Sequence, residues 1–269
     1  MCSLMMEKMI FGRYVPSDSI IHKMDPRSKL MIIFLFVCVI FLANNVVTYA
    51  LIGIYTFLML GLSRVPVRFL YGGLKPVIWL VLFTLVLQLF FTKEGTLLFE
   101  LGPVKIYEEG VRQGIFISLR FFFLILMTSL LTLTTTPIEI TDGLETLLHP
   151  LNKVRFPVHE MALMMSISLR FIPTLMQETD KIMKAQIARG VEFASGPFKE
   201  RIKAVIPLLI PLFVSSFKRA EELAIAMEAR GYQGGEGRTK YRELSWKITD
   251  SLQMGILVLL SILLFLLRS

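Results

Sequence analysis

Two arginines in this chain stand where a guanidinium can act as a tool and not merely as surface charge. Arg189 is the centre of Ala188-Arg189-Gly190, which closes the helical run Glu178–Ile187; Arg230 is the centre of Ala229-Arg230-Gly231, which closes Ala220–Glu228. A guanidinium is a rigid planar fork of donors that fits a carboxylate or a row of carbonyls. Glycine just past a helix end supplies the left-handed residue that stops the helix, and arginine in the last turn complements the negative end of the helix dipole. A single copy reads as an ordinary helix stop. Two copies, on two similar helices, read as one plug made twice for two similar sockets, with the small alanine letting each tip enter a narrow groove.

Catalytic chemistry finds no comparable support. Gly235-Glu236-Gly237-Arg238-Thr239-Lys240 lacks the spacing of a phosphate loop and no strand precedes it. His22, His149 and His159 are scattered, without the spacing of metal ligands. Cys2 and Cys38 fall in a tail and inside an apolar run, which gives no disulfide or metal framework. The expectation is a protein that is not an enzyme and carries no cofactor or metal of its own.

The elements that must hold the two tips are those of a membrane protein. Hydrophobic residues make up 54% of the chain and charged ones 19%, with mean hydropathy +0.65, too apolar for a soluble domain of this length. The net charge of +8 is the excess of Lys and Arg that cytoplasmic segments of membrane proteins carry, so nucleic acid is not expected as a partner. The first 29 residues lack the apolar core of a cleavable signal peptide. They read as a cytoplasmic tail, 1–29, carrying Lys8, Arg13, Lys23, Arg27 and Lys29. Asp25-Pro26 reads as a helix start, with Asp as cap and Pro in the first turn.

Residues 30–135 read as a membrane domain of four spans: Leu30–Ala43, Val46–Leu62, Pro76–Thr92 and Gly114–Thr135. Ser63–Lys75 reads as an amphipathic cytoplasmic connection. The acidic loop Lys93–Gly110 reads as external, with a small β-hairpin of Leu97–Leu101 and Val104–Tyr107 around Gly102-Pro103. Arg120, near the outer end of its span, is expected to snorkel to the interface. Residues 136–246, which hold more than half of the Lys and Arg, read as a cytoplasmic insertion. It has a short helix Ile138–His149 and two long ones, Pro157–Arg189 and Pro197–Arg230, each about 45–50 Å in length. Pro173 lies in the first, and Pro207 and Pro211 in the second, where proline removes a hydrogen bond and bends a helix. Gln233–Gly237 reads as a flexible linker to a last span within 247–269. The fold expected is an all-α integral membrane protein of five spans, N-terminus inside, with a cytoplasmic domain of long, proline-kinked helices.

The N-terminal halves of both long helices are apolar around most of their circumference. Met161, Met164 and Met165 admit two readings: filler of this chain's own core, or an adaptable surface for a partner, since methionine repacks easily.

Leu169-Arg170-Phe171-Ile172-Pro173-Thr174-Leu175, Glu178, Ala185–Gly190 and Arg219–Tyr232 together resemble the signature of the transmembrane T component of energy-coupling factor (ECF) transporters, an ABC-type class. Asp25-Pro26-Arg27-Ser28-Lys29-Leu30 resembles that family's N-terminal motif, and the resemblance spans essentially the whole chain. It implies a vitamin or micronutrient importer. Two ATPase subunits, identical or merely similar, bind and hydrolyse ATP; a small separate membrane protein captures the substrate; the T component joins them through two long crossed helices. By that resemblance Ala188, Arg189, Gly190, Ala229, Arg230 and Gly231 dock the ATPases in the cytoplasm of a bacterial or archaeal cell. The rival reading, a self-contained secondary transporter or channel, asks for broken helices and polar groups at the membrane midplane. A membrane enzyme asks for converging titratable groups.

Overall fold

A computed structural model describes residues 14–92, 96–101, 104–154, 156–191, 193, 197–234 and 244–267. The tail before Tyr14, the Gly102-Pro103 turn and Gly235–Gly237 of the linker lie outside them. The described chain forms two compact units, one of residues 12–147 and 243–269, the other including 148–242.

The first unit is a helical bundle: α1 Pro26–Ile40, α2 Val46–Ser63, α3 Val67–Phe91, α4 Glu108–Thr134, α5 Pro137–Leu148 and α8 Ile248–Leu266. Between α3 and α4, strands β1 Leu97–Leu101 and β2 Val104–Tyr107 pair antiparallel. Among the described helices, α2, α4 and α8 are long and apolar enough to cross a membrane; Val77–Phe91 of α3 is apolar but shorter. Phe36, Ile40, Ile52, Leu257 and Leu264 are wholly buried at the centre of the bundle, whereas Phe34, Trp79, Phe91 and Leu259 face outward. An exterior this apolar, over helices whose backbone groups are satisfied internally, fits hydrocarbon as solvent.

Contacts at the two ends of the bundle fix the direction of each helix. At one end, the start of α1 meets the start of α8, where the carboxylate of Asp250 accepts from the Asp25 amide (3.2 Å) and the Ser28 hydroxyl (3.0 Å). The Lys29 ammonium, at the same end, donates to the carbonyl of Thr134 (3.0 Å) at the close of α4. At the other end, Arg120 of α4 donates to the Ala43 carbonyl just after α1 (3.3 Å), and Asn45 before α2 reaches the Leu267 carbonyl after α8 (3.5 Å). A Cβ on Gly110, in the first turn of α4, would lie 3.3 Å from the carbonyl oxygens of Gln88 and Thr92 at the end of α3. The helices α1, α2, α3, α4 and α8 therefore alternate in direction.

Two expectations are corrected. Ser63–Lys75 is not a separate connection, because α3 begins at Val67 behind Pro66 and continues without a break to Phe91. Proline at position 76 forfeits one backbone hydrogen bond, and the remaining turns of so long and apolar a helix carry it through. Arg120 does not simply snorkel: besides its bond to Ala43, its guanidinium lies over the Phe41 ring, 5.1 Å from the centroid, a cation–π contact. The short helix α5 packs within this unit as well. A Cβ on Gly143 would meet Leu30 Cδ1 at 3.2 Å and the Pro26 backbone carbon at 3.3 Å, so glycine there lets α5 lie directly on the first turn of α1.

The second unit comprises a 3-10 turn His149–Val154 and the long helices α6 Val158–Ala188 and α7 Phe198–Ala229. Both run through their internal prolines.

Candidate functional site

Each long helix ends in the same way, bond for bond. In α6, Arg189 caps the helix at φ −87°, ψ 5°, and Gly190 follows at φ +85°. The Gly190 amide donates to the Ile187 carbonyl (2.9 Å) and the Val191 amide to Gln186 (3.0 Å). In α7, Arg230 caps at φ −88°, ψ 6°, and Gly231 follows at φ +73°. The Gly231 amide donates to the Glu228 carbonyl (2.9 Å) and the Tyr232 amide to Met227 (3.0 Å). This is the Schellman ending, in which a left-handed residue satisfies the last carbonyls. Only glycine takes that backbone without strain. A Cβ on either glycine would meet nothing within 4 Å; the requirement is conformational and not steric.

Ala188, Arg189, Gly190, Ala229, Arg230 and Gly231 are all exposed. The structure thus places every predicted tip residue at a projecting helix end and leaves each arginine side chain to reach outward.

The two helices meet through polar contacts between the tips. Glu178 of α6 accepts a hydrogen bond from the Ser215 hydroxyl (3.0 Å) and forms an ion pair with Arg219, both on α7. Eight residues later on α6, Gln186 donates to the Pro207 carbonyl (3.4 Å), eight residues earlier than Ser215 on α7. Since Pro211 has no N–H, the Pro207 carbonyl lacks its donor within α7, and the Gln186 amide supplies one from the neighbouring helix. Contacts that advance along α6 and retreat along α7 make the helices antiparallel where they touch. The tips therefore point to opposite ends of the pair. Glu178 and Arg219 belong to the quoted signature, but nothing in the sequence tells that they face one another.

Met161, Met164 and Met165 are exposed, as is Ile172 on the same helix; none of the three methionines fills this chain's core. On α7, Ile202, Ile206, Leu209, Phe213 and Phe217 form an exposed apolar stripe at helical spacing.

The N-terminal motif serves a different purpose. Asp25 caps α1 by accepting from the Arg27 amide (2.9 Å), with Pro26 in the first turn. Asp250, fully buried, accepts from the Lys247 amide (2.8 Å) in addition to Asp25 and Ser28. Arg27 donates to the Leu244 carbonyl (2.9 Å) and Lys247 to the Lys23 carbonyl (3.0 Å). Lys29, also buried, donates to the His22 carbonyl (3.3 Å) and the Thr135 hydroxyl (3.2 Å) besides Thr134. The motif fastens the first helix to the last one and to the end of α4. The sequence gives no sign of this role for Asp250, since one aspartate near the start of an apolar run looks like a helix cap.

A family model described as cobalt transport protein, CbiQ, matches residues 17–241. The chain is 66% identical to the energy-coupling factor transporter transmembrane protein EcfT of Bacillus subtilis (strain 168) over 265 residues, covering 98% of this chain and 100% of that protein. It is 58% identical to the protein of the same name from Listeria innocua, again over 98% of this chain and 100% of the relative. With that of Lactococcus lactis subsp. cremoris it shares 51% identity over 97% of this chain and 98% of the relative. Twin arginine-tipped helices and an apolar helical bundle in one chain, with full-length similarity of this degree, establish that the chain belongs to the family of transmembrane T components of energy-coupling factor transporters.

Proposed function

We propose that this chain is the coupling subunit of an importer for vitamins or other micronutrients, passing ATP-driven motion of two ATPase subunits to a small substrate-binding membrane protein. The observation that carries the reading is the pair of matching Schellman ends with exposed arginines. Two identical, outward-facing tips suit two identical or similar ATPases, each taking one tip in a groove. Breaking a desolvated interfacial charge pair costs about 2–5 kcal/mol, enough for such a contact to transmit force. ATP itself is bound by the partners. The exposed methionines of α6 and the apolar stripe of α7 are the surface for the substrate-binding protein; a face of this kind is costly in water unless covered.

The membrane arrangement follows the same reading. The alternating directions of α1, α2, α3, α4 and α8 support five spans in the cell membrane, and the basic tail 1–29 and basic segment 136–246 support a cytoplasmic N-terminus and coupling domain. The chain then comprises the tail, four spans in 30–135, the coupling domain and a last span in 247–269.

The test is purification of the tagged chain from its native membranes in mild detergent. Two ATPase polypeptides and one small membrane protein should accompany it, and the reconstituted complex should take up labelled water-soluble vitamins or cobalt ion only with ATP. A chain that purifies alone, and moves those solutes by itself along an ion gradient, would be a secondary transporter and would overturn the proposal.

A further inference from the structure

We propose that the Glu178–Arg219 ion pair is the fulcrum of the coupling domain, making Glu178 and Arg219 positioning residues that do not dock the ATPases themselves. The proposal rests on the two tips engaging separate ATPase subunits. It adds how their movements are balanced.

Three observations on α6 and α7 carry it. The first is spacing. Glu178 lies eleven residues before Arg189, and Arg219 lies eleven residues before Arg230. Eleven residues are close to three whole helical turns, about 16 Å of rise. Each tip arginine therefore stands at the same distance from the ion pair and near the same helix face as the member it shares a helix with. The second is direction. Because the helices are antiparallel where they meet, the two arms extend to opposite sides of the pair. Equal arms on opposite sides of a joint turn equal displacements of the two tips into rotation without net translation. Unequal arms would convert part of every stroke into sliding.

The third is the ranking of the contacts. Glu178 takes a charge-assisted bond from Arg219 and a second one from Ser215 at 3.0 Å, with both charged side chains partly withdrawn from solvent. Among the described polar contacts between the two helices, the one from Gln186 to the Pro207 carbonyl is neutral and long at 3.4 Å. Charge-assisted bonds are roughly twice as strong as neutral ones. On a stroke the Gln186 link gives way first, while Glu178 holds its partners. A joint that holds at one point and yields at another turns about the first; one that held at both could not turn.

The test is a charge reversal read by distance. Spin labels on cysteines replacing Ile187 and Ile225, in a background without Cys2 and Cys38, report the separation of the arms in the purified complex with its ATPases. Wild-type protein should show a shift in that distance on adding a non-hydrolysable ATP analogue. Glu178→Arg and Arg219→Glu should each keep the ATPases bound but broaden the distribution and abolish the shift, with ATP-driven uptake falling at least about tenfold, as losing a close charge pair predicts. The double reversal should restore both. Single reversals with an intact shift, or a well-produced double reversal that regains none of it, overturn the proposal. Should the reversals fail to accumulate, Glu178→Gln with Ser215→Ala removes the charge and the second bond; an unchanged distribution there overturns it too. Absence of ATPases from the wild-type preparation overturns the docking reading itself, a separate result.

Discussion

Replacing Arg189 and Arg230 by alanine separates the docking role proposed for the tips from their role as helix ends. Every bond that builds each ending is a main-chain bond. Arg189 contributes its amide to the Ala185 carbonyl at 3.2 Å, Arg230 its amide to Ala226 at 3.2 Å, and the Gly190 and Gly231 bonds involve no side chain. Alanine keeps all of them. The loss to the isolated protein is the dipole contribution of a cation near the C-terminus, about 0.3–1 kcal/mol per helix, partly offset by alanine's higher helix propensity. The loss at a groove that receives the guanidinium is about 2–5 kcal/mol, or roughly 30-fold to several-thousand-fold in affinity. Each single variant should therefore melt like the wild type, retain one ATPase contact and lose most uptake. The double variant should retain neither ATPase at ordinary dilution. Lysine should rescue poorly, because it lacks the planar fork. Gly190→Ala makes the converse change: it keeps the arginine and disturbs the left-handed residue, at about 1–2 kcal/mol. The assays are thermal unfolding in detergent and titration of purified ATPases onto the immobilised protein. A double alanine variant that binds both ATPases with wild-type affinity would refute the reasoning, leaving the tips as helix caps.

Asp250→Asn puts a donor where one of two accepting oxygens stood, so either the Lys247 amide or the buried Asp25 amide loses its acceptor. A buried unsatisfied donor costs about 1–3 kcal/mol, so thermal unfolding should show a loss of up to that size, with a larger one for Asp250→Ala. Gly143→Ala should also lower the unfolding temperature. The added methyl meets the Pro26 backbone at 3.3 Å, that backbone is pinned by Asp250, and overpacking of this kind costs about 1–3 kcal/mol. His22 gives a pH dependence. Its Nε2 donates to the Val15 carbonyl (2.9 Å) and its Nδ1 takes the Ser19 hydroxyl (2.7 Å), while burial, foremost, holds the ring below its ordinary value of 6.5. The unfolded segment then binds the proton more readily. The segment's stability is complete above that ordinary value and falls as pH drops through it towards the folded value. Limited proteolysis of the 14–24 segment should accelerate between about pH 7.5 and about pH 5.5, and less so in His22→Gln.

The helix ends were the most legible part of this chain. Proline before a helix and glycine after it are local signals, so Pro157–Arg189 and Pro197–Arg230 anticipate α6 and α7 to within a residue at each end. The exposed position of Arg189 and Arg230 follows from the same signals. Long-range partners were not legible. Asp250 reaches Asp25 across the whole sequence, and the antiparallel register of α6 and α7 depends on an orphaned carbonyl at Pro207 that only the neighbouring helix reveals. The continuous course of α3 is not legible, because Pro76 reads as a boundary, whereas one missing bond is minor in a helix of 25 residues. Composition left the methionines of α6 ambiguous between core and surface, since an apolar residue looks the same in both; their exposure settles only that this chain does not cover them.

The fastening between Asp250 and the start of α1 has a consequence for how the protein is made. Asp25 and Ser28 emerge from the ribosome more than two hundred residues ahead of the carboxylate that receives their hydrogen bonds. Until that carboxylate arrives, the Asp25 amide and the Ser28 hydroxyl lack the acceptor against which they are buried in the finished bundle, and a buried polar group left without its partner is costly. The bundle therefore closes only once the start of α8 has been made, and a chain halted before it leaves Asp25 and Ser28 without that acceptor. Chains arrested at residue 240 should accordingly be cleared by membrane proteases faster than full-length ones in a pulse-chase, and supplying the last helix as a separate fragment should protect them.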